Sequence, residues 1–167
     1  MASSFSHEAY LESRRQIKDI IVPTLREQHY CFLGPCLHAD INRDMIDKID
    51  VVCEHCDDPS QEVTLGVRCQ KGRYSSMRTH TLTWREVDLL KDHARDLPTY
   101  AVHAYLDFNE SVVAIGVIHC HSLRHCVDLS RYKFLPSNGR PDYFIAIPWR
   151  DYPMLFRVYE PTPAMWI

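Results

Sequence analysis

Apolar positions from residue 7 to about 22 fall near helical spacing. Tyr10, Ile17, Ile20 and Ile21 share a face, and Glu12, Arg14, Arg15 and Lys18 lie outside it. Ser6 is the predicted N-cap, with Glu8 and Glu12 near the positive end of the dipole. Pro23 either breaks this helix or restarts it as a first-turn proline leading Thr24 to His29. Leu33-Gly34-Pro35 predicts a turn. The β-branched run Ile49-Asp50-Val51-Val52-Cys53 predicts a strand, ending in the turn-forming Cys56-Asp57-Asp58-Pro59-Ser60. Glu62 to Gln70 is its expected partner, Lys71-Gly72-Arg73 a turn, and Thr79 to Thr83 a third strand. Trp84 to Ala94 then reads as a helix, with Val87, Leu90 and Ala94 on one side and Thr83 with Glu86 as a capping box; Pro98 is its expected stop. Tyr100 to Phe108 and Ser111 to Ile118 are two further strands about the turn at 107–110. A short helical piece from about Leu123 to Ser130, a loop at 136–141 and a strand from Tyr143 to Ile147 complete the series. The proline- and aromatic-rich tail is expected to pack over the core.

This order predicts one α+β (mixed α/β) domain, with a central mixed sheet flanked by helices. The core spans about 7–130, and residues 131–167 form a C-terminal cap. At 167 residues, with 46% hydrophobic and 25% charged positions, the chain can bury a substantial core without a second domain. No apolar run approaches the ~20 residues that span a bilayer, and the start carries no basic and apolar leader. The expectation is a cytoplasmic protein with no membrane association. The oligomeric state is open, a homodimer included.

Charge reverses between neighbouring segments. Residues 40–62 carry Asp40, Asp44, Asp47, Asp50, Glu54, Asp57, Asp58 and Glu62 against Arg43 and Lys48. Residues 68–95 carry Arg68, Lys71, Arg73, Arg78, Arg85, Lys91 and Arg95 against Glu86, Asp88 and Asp92. The net charge of −3 gives no global pull on nucleic acid, so any such binding needs a local patch. Lys71, Arg73, Arg78 and Arg85, interleaved with Tyr74 and Trp84, are the candidate patch, because cations contact phosphates and aromatic rings stack on bases. The competing reading is a solvated face on which acids and bases alternate.

The seven cysteines form an odd set, and without an export signal reduced thiols are expected. Three Cys/His groups stand out: Cys53-Glu54-His55-Cys56; His119-Cys120-His121 with His125-Cys126; and Cys31, Cys36 and His38. A structural Zn²⁺ would draw its four ligands from at least two of them. No pair reproduces a known finger or ribbon spacing, so Zn²⁺ is not expected. A nucleophilic pair of Cys120 with His103 has nothing local to single it out.

The order of elements and the residues Asp50, Val67-Arg68-x-Gln70 and Thr81-Leu82-Thr83-Trp84-Arg85 resemble the PD-(D/E)XK (restriction-endonuclease-like) superfamily over roughly residues 10–125. The likeness is to small phage and bacterial members with a degenerate motif. In that pattern an Asp begins one strand of a hairpin and an acid-x-Lys sits on the next. Asp50 takes the first position and Arg68 stands where the lysine belongs. Gly66 replaces the second acid.

The resemblance implies a nucleic-acid-acting protein. It is either a divalent-metal phosphodiesterase or a relative that keeps only the binding groove. In the active version Asp50 and Asp44 hold Mg²⁺ or Mn²⁺, Arg68 clamps the scissile phosphate, and Gln70 and Arg85 position the strand. Arg68 cannot serve as a base at neutral pH, although its fork suits phosphate. Glu62, Glu12 and Glu27 are the other candidates for the missing acid. The alternative is a small phage-type accessory protein that binds a host protein through its acidic 54–62 hairpin without catalysis.

Overall fold

The structure is a computed structural model that describes residues 7–28, 30–40, 48–72, 77–136 and 142–161. Ser6, Asp44, Arg73, Tyr74, Trp166 and most of the 136–141 loop lie outside the described residues. Helix α1 (His7–Gln16) runs through one π turn (Ile17–Ile21) into α2 (Val22–Glu27), with Pro23 in the first turn of α2. Proline has no N–H to give the preceding turn, and a wider turn upstream accommodates that loss. The Thr24 hydroxyl donates to the Ile20 carbonyl at 2.7 Å beside the interruption.

The strands are β1 (Leu33–His38), β2 (Val51–His55), β3 (Glu62–Lys71), β4 (Thr79–Thr83), β5 (Tyr100–Leu106), β6 (Val112–His119), β7 (Leu135–Pro136), β8 (Tyr143–Pro148) and β9 (Arg157–Tyr159). The short helices are α3 (Trp84–Lys91) and α4 (Cys120–His125). Six strands make the main sheet, in the order β1-β2-β3-β5-β6-β9. All its pairs are antiparallel except β3 and β5, which are parallel because the chain crosses over between them through β4 and α3. A second sheet, β4-β8-β7, covers one face of the first.

Strand alternation explains the two layers. Val51, Cys53, Val63, Leu65, Val102, Ala104, Ile115 and Val117 point to one face and bury Ile17, Ile21, Val22 and Leu25 of the N-terminal helices. Ala101, Tyr105, Ala114 and Ile118 point to the other face, where they meet Leu82, Val87 and Leu90 of β4 and α3. Leu123, Ile145, Ile147, Trp149 and Phe156 close that layer. Both cores belong to one folded domain of mixed α/β content.

Four expectations are corrected. Leu33-Gly34-Pro35 is not a turn but the start of β1, an edge strand, where a proline costs no ladder bond. The third predicted strand leaves the main sheet and pairs with β8. Its other edge is met by side chains of β5: Tyr105 Oη donates to the Thr79 carbonyl at 2.6 Å, and the Thr81 N–H donates to His103 Nδ1 at 3.3 Å. The C-terminal segment is no mere cap, since it gives β8 to the small sheet and β9 to the edge of the large one. Finally, Cys36 and Cys53 face each other across β1 and β2 and form a disulfide, so two of the seven thiols are not reduced. Among the described residues no helix is long and apolar enough to cross a membrane.

Candidate functional site

A cavity of about 320 Å³ opens between the second face of the main sheet and the β4–α3 layer. Its apolar back is built from Leu82, Leu89, Leu90, Ala101, Val102 and Leu123, and the polar groups Lys48, Asp50, Arg68, His80 and Glu86 line it as well. That size and mixture suit a small-molecule or single-nucleotide site.

Asp50 sits immediately before β2. Its N–H donates to the Leu65 carbonyl at 2.8 Å, and its Oδ2 accepts the Val67 N–H at 2.6 Å. The carboxylate is therefore fastened to β3 one residue before Arg68. Alternation along β3 sends Arg68 to the same face as Gly66 and Gln70, opposite His103 of β5.

Arg68 Nη2 donates to Glu86 Oε1, a short ion pair in which both side chains are partly exposed. Glu86 is also the third residue of α3, and the capping box read from sequence is present. The Thr83 N–H and hydroxyl donate to Oε1 at 3.1 Å each, while the Glu86 N–H donates back to Thr83 Oγ1 at 3.3 Å. Burial pushes the Glu86 carboxyl up, but Arg68 and the bonds from Thr83 outweigh it and hold the group below its ordinary value. One carboxylate thus caps a helix and steers an arginine at the cavity wall.

The absence of an acid at position 66 has a steric cause. A Cβ on Gly66 would lie 2.8 Å from the Lys48 carbonyl oxygen and 3.4 Å from Pro98 Cγ. The backbone crosses too closely for any side chain there. Glu86 supplies a carboxylate to the same cavity from a different element. Sequence reasoning valued it only as a cap, although its place three residues after Thr83 fixed which way it would reach.

His80 and His103 form the floor of this layer, with ring centroids 5.8 Å apart and 3% and 0% exposed. His80 Nδ1 is buried with no partner among the described atoms. Burial is the main cause that lowers its pKa, to about 4, and it pushes His103 well below the usual histidine range. Both rings are neutral at physiological pH. His103 accepts from Thr81 at Nδ1 and faces Gln70 Oε1 through Nε2 at 3.3 Å. Gln70 therefore braces His103 and is not among the residues that line the cavity.

Cys120 also lines the cavity, but burial pushes its thiol up to about 12. A thiolate there is scarce, and the two ring nitrogens of His103 face Thr81 and Gln70.

Among the described residues the predicted basic patch is not one surface. Lys71, at the far end of β3 from Leu65, lies 3.9 Å from Glu110. Arg78, just ahead of Thr79 at that same end, bonds Glu160 at 3.3 Å. Arg85 lies at the opposite end, where α3 begins, with its guanidinium 5.2 Å from the ring of Trp84. Beside Arg85 a shallow groove of about 290 Å³ runs along α3 past Lys48, Trp84, Asp88, Asp92 and Arg95. Lys48 and Leu89 border both hollows, so groove and cavity adjoin. Glu62 is exposed on the other side of the β2–β3 turn from Asp50, and Glu12 pairs with Arg15; neither lines the cavity.

In comparisons with known proteins, the chain matches no family model and no curated protein.

Proposed function

We propose that this is a nuclease-like protein that acts on nucleic acid at the cavity bounded by Asp50, Arg68 and Glu86. The observation that carries the reading is that two carboxylates and an arginine, from three separate elements, line one hollow beside a groove bearing Lys48, Arg85 and Trp84. The order Asp50, hairpin, Arg68, helix, parallel strand agrees with the PD-(D/E)XK pattern that the sequence resembles. The chemistry of the donor set suits a hard divalent ion. Carboxylate oxygens are the donors such an ion takes, and the bonds above hold both groups in place. Asp50 and Glu86 would hold Mg²⁺ or Mn²⁺, which supplies charge neutralisation at the phosphate and a more acidic water.

The residues of the chain do the rest. Arg68, aimed by Glu86, receives a phosphate through its guanidinium fork. Lys48, Arg85 and the Trp84 ring receive the adjoining backbone and a base. The apolar back of the cavity and its volume accept one nucleotide and not a duplex, so a strand end or an extruded nucleotide is the substrate class.

Hydrolysis of single- and double-stranded DNA and RNA with Mg²⁺ or Mn²⁺ tests the reading. Asp50→Asn is the informative variant, because asparagine keeps an acceptor for the Val67 N–H while losing the charge. Hydrolysis should fall by about 100-fold or more, as expected when several kcal/mol of charge stabilisation are removed. Unchanged hydrolysis in Asp50→Asn sinks the site. No hydrolysis by the wild type, with salt-sensitive binding that Arg68→Ala weakens, would mark a relative that only binds.

A further inference from the structure

The two cysteine groups nearest the β2–β3 turn make a second corner of chemistry, remote from the cavity. β2 ends at His55, and the next two residues, Cys56 and Asp57, turn back on it. One ligand atom from each of His55, Cys56 and Asp57 lies within 4.8 Å of the other two. The segment just before β1 is held against this turn. The Cys56 N–H donates to the Phe32 carbonyl at 2.7 Å, and the Phe32 ring stacks on His55 with centroids 5.3 Å apart. Cys31, next to Phe32, has a free and exposed thiol, as does Cys56. The bond from Cys56 to Phe32 therefore sets Cys31 one residue from the corner. His55 turns a lone pair toward the corner, because its Nδ1 accepts the Asp57 N–H at 3.1 Å.

We propose that His55, Cys56 and Asp57 form a binding site for a thiophilic divalent cation of the Zn²⁺ type, which Cys31 completes by turning its exposed thiol inward. Two thiolates, one imidazole and one carboxylate give the four N, S and O donors that such an ion takes in tetrahedral sites. A hard ion such as Mg²⁺ would find only one suitable ligand here, so this corner is chemically distinct from the Asp50–Glu86 pair. Binding releases the Cys31 and Cys56 thiol protons to solvent, and the ion takes the His55 lone pair in place of the Asp57 N–H. The ion would tie the α2–β1 connection to the β2–β3 turn, two segments 23 or more residues apart in the chain. The same two cysteine groups supply the Cys36–Cys53 disulfide a few residues further along the same strand pair.

Titration of the full chain with Co²⁺, and then displacement by Zn²⁺, tests this. Free thiols are assayed beforehand, so that Cys31 and Cys56 are known to be reduced while the disulfide is intact. One equivalent of Co²⁺ should produce sulfur-to-metal charge-transfer absorption with tetrahedral d–d bands. Both should vanish on addition of Zn²⁺ and be lost in Cys56→Ser and in Cys31→Ser. They should persist in Cys126→Ser, which removes another exposed thiol, and in His125→Ala, which breaks up the stacked histidines on α4. Charge-transfer bands that survive in Cys56→Ser, or Co²⁺ binding without sulfur bands, would overturn the proposal. Because Cys31 and Cys56 are exposed, neither serine variant removes core packing, and circular dichroism checks that each is folded.

Discussion

At the scale of single residues, the buried histidines set how the protein responds to acid. His80 and His103 remain neutral in the fold, His80 with a pKa near 4, mainly because burial disfavours the imidazolium. In the unfolded chain both titrate near the ordinary histidine value of ~6.5. Above that pH neither state is protonated and their stability contribution is complete. As pH falls through ~6.5, only the unfolded state takes up protons and stability declines. For His80 the decline continues to about pH 4, where the folded ring is protonated too, and it amounts to roughly 3 kcal/mol. Urea unfolding between pH 7 and pH 4 should therefore show a shallower loss for His80→Leu than for the wild type. The difference between the two curves isolates the ring from the carboxylates, which titrate in the same range. Parallel curves would mean that His80 is solvated and protonated in the fold.

At the scale of elements, the contact between β6 and the 3₁₀ turn Trp149–Asp151 that follows β8 depends on a missing side chain. A Cβ placed on Gly116 would lie 2.3 Å from Trp149 Cε2, and Trp149 is 4% exposed. The indole thus lies against bare backbone, and through it the small sheet is seated on the large one. Gly116→Ala must push the ring off β6 at an overpacking cost of about 1–3 kcal/mol. A lowered urea midpoint with a red-shifted tryptophan emission would report that displacement. An unshifted midpoint would mean that the ring has room to move.

Elements whose pattern is local were legible in the sequence. β2, β3, β4, β5 and β6 follow their apolar runs, and the Thr83–Glu86 capping box places the start of α3 at Trp84. Partners were harder to read. Nothing within Thr79–Thr83 says that it pairs with Tyr143–Pro148 some sixty residues on, and Leu33-Gly34-Pro35 reads as a turn because an edge strand tolerates the residues that turns prefer. The candidate site divides the same way. Asp50 and Arg68 were legible from their places at the head of one strand and within the next. Glu86 and His80 were not, because they reach the cavity only through the crossover that lifts β4 and α3 over the sheet.

At the scale of the whole molecule, the main sheet carries the fold, and its first edge is irregular. β1 contacts the sheet only through β2, carries Pro35, and shifts register between Leu33 and Cys36. The Cys36–Cys53 bridge fastens that edge and closes a loop with a sequence separation of 17. Closing a loop of that length in the unfolded chain is worth about 3 kcal/mol in the chain-entropy account. For a domain of this size, ~1 kcal/mol shifts Tm by about 2–4 °C, so reduction should lower Tm by roughly 6–12 °C. The core between β5, β6 and the small sheet does not involve the bridge, so the reduced protein should still unfold cooperatively and keep its far-ultraviolet spectrum. Thiol counting fixes the premise. Protein unfolded without reductant should present the five thiols of Cys31, Cys56, Cys69, Cys120 and Cys126, and all seven only after reduction. Seven reactive thiols before reduction would remove the bridge, and with it the expected shift in Tm.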